Sequence, residues 1–444
     1  MAKLLSASLP PFVITQNPSE DYQTMKTAEF KRISVIGLGY IGLPTAAMFA
    51  SRGVEVVGVD VNPKAVDIIN RGEIHIIEPD LDIVVRSVVQ QGKLRATLTA
   101  EPADAFIVAV PTPFKGDNHD PDLRYIEAAA KSIAPVLKQG DLVILESTSP
   151  VGATEAMSVW LAESRPDLSF PQHRGEESDI RIAHCPERVL PGKVMQELIT
   201  NDRVIGGMTA LCSERASELY RLFVTGKCVI ASSTRIAEMA KLTENSFRDV
   251  NIAFANELSL ICDKIDIDVW ELISLANRHP RVNILQPGPG VGGHCIAVDP
   301  WFIVSSAPEQ AKLIRTARNV NDSKPDWVIQ KVREAIREHF SHQKNVSSTD
   351  IKIVVYGIAF KPDIDDLRES PAIHILKNLI SENLGHILVV EPNIDDLPEA
   401  LSNAELIDLD DANGDIHVML VDHTPFRGMP TPSGSLVDIR GVWS

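Results

Sequence analysis

The chain has 444 residues, of which 44% are hydrophobic and 23% are charged, and a chain of this length is expected to form two or three domains. No apolar run approaches the roughly 18 residues of a membrane span, and a net charge of -17 argues against nucleic acid as a partner. Five cysteines without regular spacing do not suggest a disulfide framework or a metal site, so we expect no metal, no membrane contact and a cytoplasmic location.

The first 30 residues contain Ser, Pro and mixed charge, but they lack the long apolar stretch and the cleavage site of a signal peptide. We therefore predict that residues 1–30 form a disordered extension. Met25 is an alternative start of the natural chain.

A dinucleotide-binding turn is predicted at the start of the first folded unit. The β-branched run Ile33–Ile36 is followed by GLGYIG and a helical pattern, and the next apolar run ends at Asp60. The turn residues that would contact the dinucleotide are Gly37, Gly39, Tyr40, Ile41 and Gly42. Glycines let a pyrophosphate approach the helix N-terminus, and a carboxylate at Asp60 would accept hydrogen bonds from ribose hydroxyls and repel a 2′-phosphate. The pattern predicts NAD rather than NADP; the alternative is a glycine turn without a cofactor.

Polar residues follow the next predicted strands, 105–110 and 142–145. Ligands of doubly wound sheets bind beyond the carboxyl ends of the strands, so Thr112 and Thr148 are expected where cofactor and substrate meet. Thr154 lies about one turn into the following helix. The alternative for each threonine is a capping or turn hydroxyl.

A third predicted strand begins at Ile182 and runs into a turn that contains Glu187 and Arg188. By the same rule, both side chains are expected to face the cleft at the carboxyl edge of the sheet.

A long central helix is predicted from Thr234 to about Ile265, because this stretch has a helical apolar pattern without Pro or Gly. On it, Lys241, Asn245 and Arg248 fall at i, i+4 and i+7 and therefore project from one face. A solvated polar stripe is the alternative. The apolar residues around the stripe favour a partly desolvated lysine that can act as an acid or base.

A glycine-rich loop, Gly288–Pro300, carries Cys295 with Asp299 four residues later. Glycines allow close approach of a ligand, and a cysteine there can act as a nucleophile, although a small buried cysteine in a tight turn is the alternative. We expect the glycines to admit the reacting arm of a substrate close to the sulfur. The preceding segment supplies His279 and Arg281, which would bring positive charge near an anionic ligand.

Beyond Pro325 the sequence predicts strands at 351–356, 387–390, 417–421 and 437–440, and this unit lacks the glycine fingerprint. The predicted fold is therefore α/β, with two Rossmann-like doubly wound domains joined by a long central helix. The expected domains are 31–233, 234–330 and 331–444, with the extension 1–30 before them.

Three motifs carry a resemblance to a known family. The stretches PGVGGHCIAVDPWF (289–302), KLTENSFRDVNIAFANE (241–257) and NRHPRVN (277–283) closely resemble the UDP-glucose/GDP-mannose dehydrogenase family, and the match runs from Ile33 to the C-terminus. The resemblance implies a four-electron oxidation of a sugar C6 alcohol to a carboxylate with two NAD turnovers, through a thiohemiacetal and a thioester on the cysteine. It also implies UDP-N-acetyl-D-mannosamine as substrate, in surface polysaccharide biosynthesis of the enterobacterial common antigen type.

UDP-N-acetylglucosamine and UDP-glucose stay open as substrates, because pocket shape rather than motif spacing distinguishes them. A nucleotide-sugar sensor without turnover is the alternative from another class.

The resemblance also implies residue roles. Cys295 matches the nucleophile, Lys241 the acid/base that stabilises an oxyanion, and Asn245 a second donor to that oxygen. Asp299 and Thr148 would position or activate water, and Glu187 would lie near the reacting centre. Matches to residues that hold the nucleotide sugar, several of them reaching it from the partner subunit of a homodimer, are Arg188, Val189, Lys241, Asn245, Arg248, His279, Arg281, Gly292, Lys361 and Arg440.

Two further positions complete the comparison with the family. Arg368 matches a carboxyl-domain cation that reaches toward the cofactor. Pro191 replaces a second glutamate of the UDP-glucose branch, which removes that acid from the water-activating groups and leaves more of the acid/base work to Lys241 and Asp299.

Overall fold

Most strands of the structure lie in two β-sheets, in which neighbouring strands are parallel apart from one antiparallel pair. The structure is a computed structural model, and it describes residues 30–116, 119–190, 192–293, 295–342 and 351–443. Nearly all of the predicted N-terminal extension and the position of Pro191 lie outside the described residues.

The first sheet forms from the apolar runs of the N-terminal half. Its strands are β1 Arg32–Ile36, β2 Glu55–Val59, β3 Leu94–Thr97, β4 Ala105–Val108, β7 Leu142–Leu145, β8 Arg181–His184, β9 Arg203–Gly207 and β10 Cys228–Ala231, and a separate antiparallel pair is β5 Phe114–Lys115 with β6 Asp120–Pro121. The strand order is β10-β9-β8-β7-β4-β1-β2-β3, and neighbours are parallel except β8 with β9. The order reverses between β1 and β4, so a crevice for ligand opens there, at the carboxyl ends of the strands.

Helices cover both faces of this sheet. They are α1 Gly42–Ser51, α2 Pro63–Asn70, α3 Leu81–Gln90, α4 Arg124–Ile133, α5 Ala153–Ser164, α6 Pro171–Arg174, α7 Val194–Thr200 and α8 Ala210–Tyr220. Successive residues of a strand point to opposite faces, so Ile33 and Val35 of β1 join one apolar cluster while Ile36 joins another. Burial on both faces explains why these strands are continuous apolar runs.

Two 31-residue helices lie between the sheets. They are α9 Thr234–Lys264 and α12 Lys312–His342, and two shorter helices are α10 Val269–Ala276 and α11 Asp299–Ser306. The Ser233 hydroxyl caps α9 by accepting a hydrogen bond from the amide of Ile236. The helices α9 and α12 pack along each other, and Pro325 lies inside α12.

The second sheet contains β11 Lys352–Tyr356, β12 His386–Val390, β13 Glu405–Leu406, β14 Ile416–Met419 and β15 Ser435–Asp438, with α13 Pro371–Ser381 packed beside it. Its order is β13-β12-β11-β14-β15, and every pair is parallel. The predicted fold class, two Rossmann-like sheets joined by a long central helix, is confirmed. Within the described residues, none of the helices combines the length and apolar character that crossing a membrane requires.

Candidate active site

The turn between β1 and α1 has the shape that a dinucleotide needs. A Cβ at Gly37 would lie 2.5 Å from the Ala109 carbonyl oxygen, and one at Gly42 would lie 1.8 Å from the Gly37 carbonyl oxygen. At Gly39 a Cβ would meet nothing within 4 Å. The chain itself therefore requires glycine at the first and last positions, while the middle glycine borders open space that a pyrophosphate can enter.

The Asp60 carboxylate, directly after β2, bonds to the backbone of this turn. One carboxylate oxygen accepts a hydrogen bond from the Leu38 amide at 2.9 Å, and the other accepts one from the Asn62 amide at 2.8 Å. A carboxylate offers about four acceptor positions, so lone pairs stay available for ribose hydroxyls. The residues present fit the adenosine end of NAD, and at the rim of the turn Tyr40 is exposed and Ile41 half-buried.

The predicted threonines behave differently from one another. The Thr112 hydroxyl donates to the Thr148 carbonyl, which joins the loops after β4 and β7, and both residues are half-buried at this crevice. Thr154 is fully buried, and its hydroxyl and amide donate to Glu238 of α9 at 2.6 and 2.8 Å. Thr154 therefore anchors α5 on the central helix, and its contact with the cofactor stays a prediction.

The central helix and the start of α11 bring three buried polar groups together. Lys241 and Asn245 of α9 and Asp299 of α11 are 9%, 5% and 3% exposed. The Asn245 side-chain amide donates to the Asp299 carboxylate at 2.5 Å. The Cys295 carbonyl accepts the Asp299 amide at 2.9 Å, so cysteine and aspartate share one turn of chain.

The electrostatics of this group suit acid/base work near neutral pH. Burial raises the pKa of Asp299 to about 7, against the smaller opposing effects of the Asn245 hydrogen bond and the Lys241 charge. Cys295 is exposed to solvent, but loss of hydration raises its thiol pKa; Asp299 adds to the rise, while Lys241, Arg248 and Arg368 oppose it. The residue that carries the thiol is exposed, and a base of suitable pKa is one turn of chain away.

Positive charge from three parts of the chain gathers around Lys361. Burial lowers the pKa of Lys361, which follows β11, and the nearby charges of Arg248 on α9 and Lys193 before α7 lower it further, against the opposing charge of Glu197. Cations that destabilise one another in this way stabilise an anion placed among them, as a diphosphate would be. Sequence reasoning missed Lys193, because its spacing follows no motif.

Arg368 joins the second sheet to the dinucleotide turn. It donates to Asp366 through two nitrogens, at 2.8 and 2.5 Å, and its guanidinium lies over the Tyr40 ring, 4.7 Å from the ring centre. A cation held over this turn is placed to meet cofactor phosphates or the nicotinamide side of the crevice.

Three comparisons place this geometry among known proteins. Family models for the UDP-glucose/GDP-mannose dehydrogenase family match along the chain: the NAD binding domain at residues 31–224, the central domain at 235–323 and the UDP binding domain at 354–444. The chain belongs to the UDP-glucose/GDP-mannose dehydrogenase family. The predicted family and the NAD cofactor are thereby confirmed, and the UDP binding domain supports a UDP-sugar substrate.

Individual members of the UDP-glucose/GDP-mannose dehydrogenase family match over nearly the full length. The UDP-N-acetyl-D-mannosamine dehydrogenase of Escherichia coli (strain K12) is 64% identical over 93% of this chain and 99% of its own. The NDP-N-acetyl-D-galactosaminuronic acid dehydrogenase of Ralstonia nicotianae is 63% identical over 94% of this chain and 97% of its own. The solved UDP-D-ManNAc dehydrogenase of Pyrococcus horikoshii superposes with a TM-score of 0.81 at 38% identity, covering 93% of this chain and 96% of that one.

Other residues assigned from the UDP-glucose/GDP-mannose dehydrogenase family are paired with, or packed against, side chains of the protein itself. Glu187 is buried against Arg203, and Arg188 pairs with Glu244 at 2.7 Å. Val189 packs on the apolar cluster beneath the first sheet. Glu187 is held by Arg203 and Arg188 by Glu244, and the expectation that both side chains face the cleft stays a prediction.

Three more residues assigned from the family are either exposed to solvent or bonded to other parts of the chain. His279 and Arg281 are exposed in the loop after α10. Arg440 pairs with Asp422 at 2.7 Å and donates to the Pro287 carbonyl at 2.8 Å. Arg440 thus ties the C-terminal unit to the beginning of the cysteine loop.

The glycines of the cysteine loop were expected to make room for the reacting arm of a substrate, but they lie close to the C-terminal unit. A Cβ at Gly292 would lie 2.4 Å from the Glu369 carbonyl oxygen, and one at Gly293 would lie 3.0 Å from the Phe360 ring. These glycines admit the C-terminal unit rather than the substrate arm. The described residues contain no group of three or more His, Cys, Asp or Glu side chains arranged to hold a metal ion.

Proposed function

We propose that this chain oxidises the C6 alcohol of UDP-N-acetyl-D-mannosamine to the carboxylate, in surface polysaccharide biosynthesis of the enterobacterial common antigen type. The observation that carries the proposal is the exposed Cys295 beside the buried Lys241, Asn245 and Asp299. The choice of sugar rests on the 64% identical Escherichia coli relative, which is named for it. A sensor without turnover would have no use for a nucleophile supported by a buried base.

NAD would be held at the turn around Gly39, by Asp60 at the adenine ribose, by the loops of Thr112 and Thr148, and by Arg368 from the second sheet. When bound, NAD accepts the hydride that leaves C6 in each of the two oxidations. The cation group of Lys193, Arg248 and Lys361 would meet the diphosphate of the sugar nucleotide.

In the first oxidation, C6 loses a hydride and its hydroxyl loses a proton, which leaves an aldehyde. Lys241 serves as the acid/base at the C6 oxygen, and its charge stabilises the alkoxide as it forms. The Asn245 amide has two N–H groups: one donates to Asp299, and the other is available to the same C6 oxygen.

The Cys295 sulfur then adds to the aldehyde carbon. A carbon–sulfur bond forms, the carbonyl π bond opens, and the thiol proton passes to the oxygen through Lys241, which gives a thiohemiacetal. Loss of a second hydride from carbon and of the hydroxyl proton to solvent gives a thioester at the acid oxidation level.

Water completes the reaction. Asp299 accepts a proton from a water positioned by Thr148, and the resulting hydroxide adds to the thioester carbon. The carbon–sulfur bond breaks, the sulfur recovers a proton, and the carboxylate product leaves. Glu187, which is paired with Arg203, stays the family-assigned acid near the reacting centre, and we assign the proton transfer itself to Asp299.

We further propose a homodimer built on α9. Phe247, Phe254 and Ile261 recur every seven residues along that helix and are 69%, 52% and 48% exposed. Regularly spaced apolar side chains on one face of a helix favour a second helix as their cover. In such a dimer, the exposed His279 and Arg281 would reach the sugar nucleotide of the partner subunit.

The domain boundaries 31–233, 234–330 and 331–444 also stand as a proposal. The apolar clusters support the first of these boundaries, because those of the first sheet extend no further than Cys228, whereas the buried residues of the second sheet's cluster begin at Val328 on α12.

The test is NADH absorbance after mixing enzyme and NAD with each UDP-sugar. We expect about two NADH per UDP-N-acetyl-D-mannosamine, with Cys295→Ser yielding no uronate. The N-acetylgalactosamine nucleotide is the second candidate, since the Ralstonia relative is 63% identical; UDP-N-acetylglucosamine and UDP-glucose complete the set. If another of these sugars is turned over preferentially, that sugar becomes the assigned substrate. If none of them yields NADH, the proposed function is refuted.

A further inference from the structure

A chain of buried hydrogen bonds runs between α9 and α12 and ends on the cysteine loop. Asp249 forms an ion pair with Arg318 at 2.6 Å and accepts from the Asn321 side-chain amide at 2.8 Å. The Asn321 side-chain oxygen accepts from Asn256 at 2.8 Å, and the Asn256 oxygen accepts from the Gly288 backbone amide at 2.9 Å. The four residues are at most 1% exposed.

This amide chain, Asp249–Asn321–Asn256–Gly288, has one fixed direction. A carboxylate held by arginine only accepts hydrogen bonds, so Asn321 must turn its N–H groups toward Asp249 and its oxygen toward Asn256. Asn256 must then present its oxygen to Gly288. The ion pair at one end thus sets the orientation of two amides and of the acceptor that meets the loop.

Gly288 lies where the chain enters the protein interior, because Gln286 is exposed whereas Pro287 and Gly288 are buried. The preceding carbonyl, Pro287, accepts from Arg440 of the C-terminal unit at 2.8 Å, so two adjacent backbone groups are held from opposite sides. A Cβ at Gly290 would lie 3.3 Å from the Asn321 backbone oxygen, so the loop also rests on α12. At its other end, the Cys295 carbonyl accepts two amides of the α11 turn.

We propose that Asn256 is a positioning residue for the nucleophile, which fixes the start of the cysteine loop so that Cys295 captures the aldehyde before it can leave. The inference rests on the proposed thioester mechanism. Asn256 touches neither substrate nor cofactor; it acts through the Gly288 backbone. A loosened loop would still permit the first oxidation, which does not use the sulfur, but would delay the addition of the sulfur to the aldehyde.

The test compares Asn256→Ala and Asn256→Asp with wild type and with Glu257→Gln, a substitution at the neighbouring exposed position. NADH and uronate are quantified in the same reaction, and free aldehyde is converted to an oxime by hydroxylamine added only after the enzyme has been removed by filtration. We expect about two NADH per uronate for wild type and Glu257→Gln. Asn256→Ala should raise that ratio above two, accumulate the oxime and lower uronate turnover by 10-fold to 10²-fold, with little change in the KM for the sugar. Asn256→Asp keeps an acceptor for the Gly288 amide and should release less free aldehyde than Asn256→Ala.

A purely structural role would reduce the amount of active enzyme and leave the ratio at about two. If both Asn256 variants keep that ratio and the wild-type rate of Cys295 alkylation by iodoacetamide, the inference is overturned. If Cys295→Ser itself still forms uronate, the thioester mechanism fails instead. The two failures are therefore distinguishable.

Discussion

Replacing Asp299 with asparagine should abolish uronate formation and stabilise the folded protein above neutral pH. Asp299 is 3% exposed, and burial raises its pKa from 3.8 to about 7. The folded state therefore binds this proton more tightly than the unfolded state does. The stabilisation that the protonated carboxyl contributes is present in full below about pH 4 and is lost as the pH rises toward 7.

The size of the effect follows from the shift. At 1.36 kcal/mol per pKa unit, ionising the buried carboxyl costs about 4 kcal/mol, of which about 3 kcal/mol falls between pH 5 and pH 8. Asparagine carries no charge, and its oxygen can still accept the hydrogen bond from Asn245. The stability gain of Asp299→Asn over wild type should therefore grow by about 3 kcal/mol between these pH values.

Urea unfolding of both proteins at pH 5 and pH 8 measures this difference. Asp67→Asn, at an exposed position on α2, is the matched control and should show no pH-dependent gain. A gain for Asp299→Asn that is equal at the two pH values would show that Asp299 is not held protonated by burial.

Further predictions concern the pH profile, the cofactor turn and the dimer. Uronate turnover should rise with pH around a midpoint near 7 as Asp299 ionises, and a flat profile between pH 6 and 8 would contradict its role as the base. Gly39→Ala should fold and bind NAD at least 10-fold more weakly by titration calorimetry, whereas Gly42→Ala should lose the native fold, because its Cβ would overlap a backbone oxygen. Phe254→Glu should convert a dimer to a monomer in light scattering; an unchanged mass would exclude this face as the interface.

Much of the fold follows from local patterns. The central helix was expected over 234–265 and is found at Thr234–Lys264, because an uninterrupted helical stretch follows a capping serine. The strand expected over 105–110 ends at Val108, since the chain then turns so that Ala109 packs against Gly37. Such boundaries depend on tertiary contact and are not encoded in one stretch of sequence.

The site was only partly predictable for the same reason. Spacing along one helix placed Lys241 and Asn245 together, but their meeting with Asp299 depends on how α11 packs on α9. Burial of the Thr154 hydroxyl against Glu238 and of Glu187 against Arg203 could not be inferred, because each partner lies on a different element of the chain.

The most direct test of the account is the mass of the Cys295 peptide after acid quench of a reaction with NAD and UDP-N-acetyl-D-mannosamine. In Asp299→Asn, which lacks the base for water, the account predicts that the sugar nucleotide accumulates as a thioester on Cys295 and that hydroxylamine releases it. Uronate formed by Cys295→Ser at the wild-type rate, without any adduct on the cysteine in Asp299→Asn, would contradict the central claim.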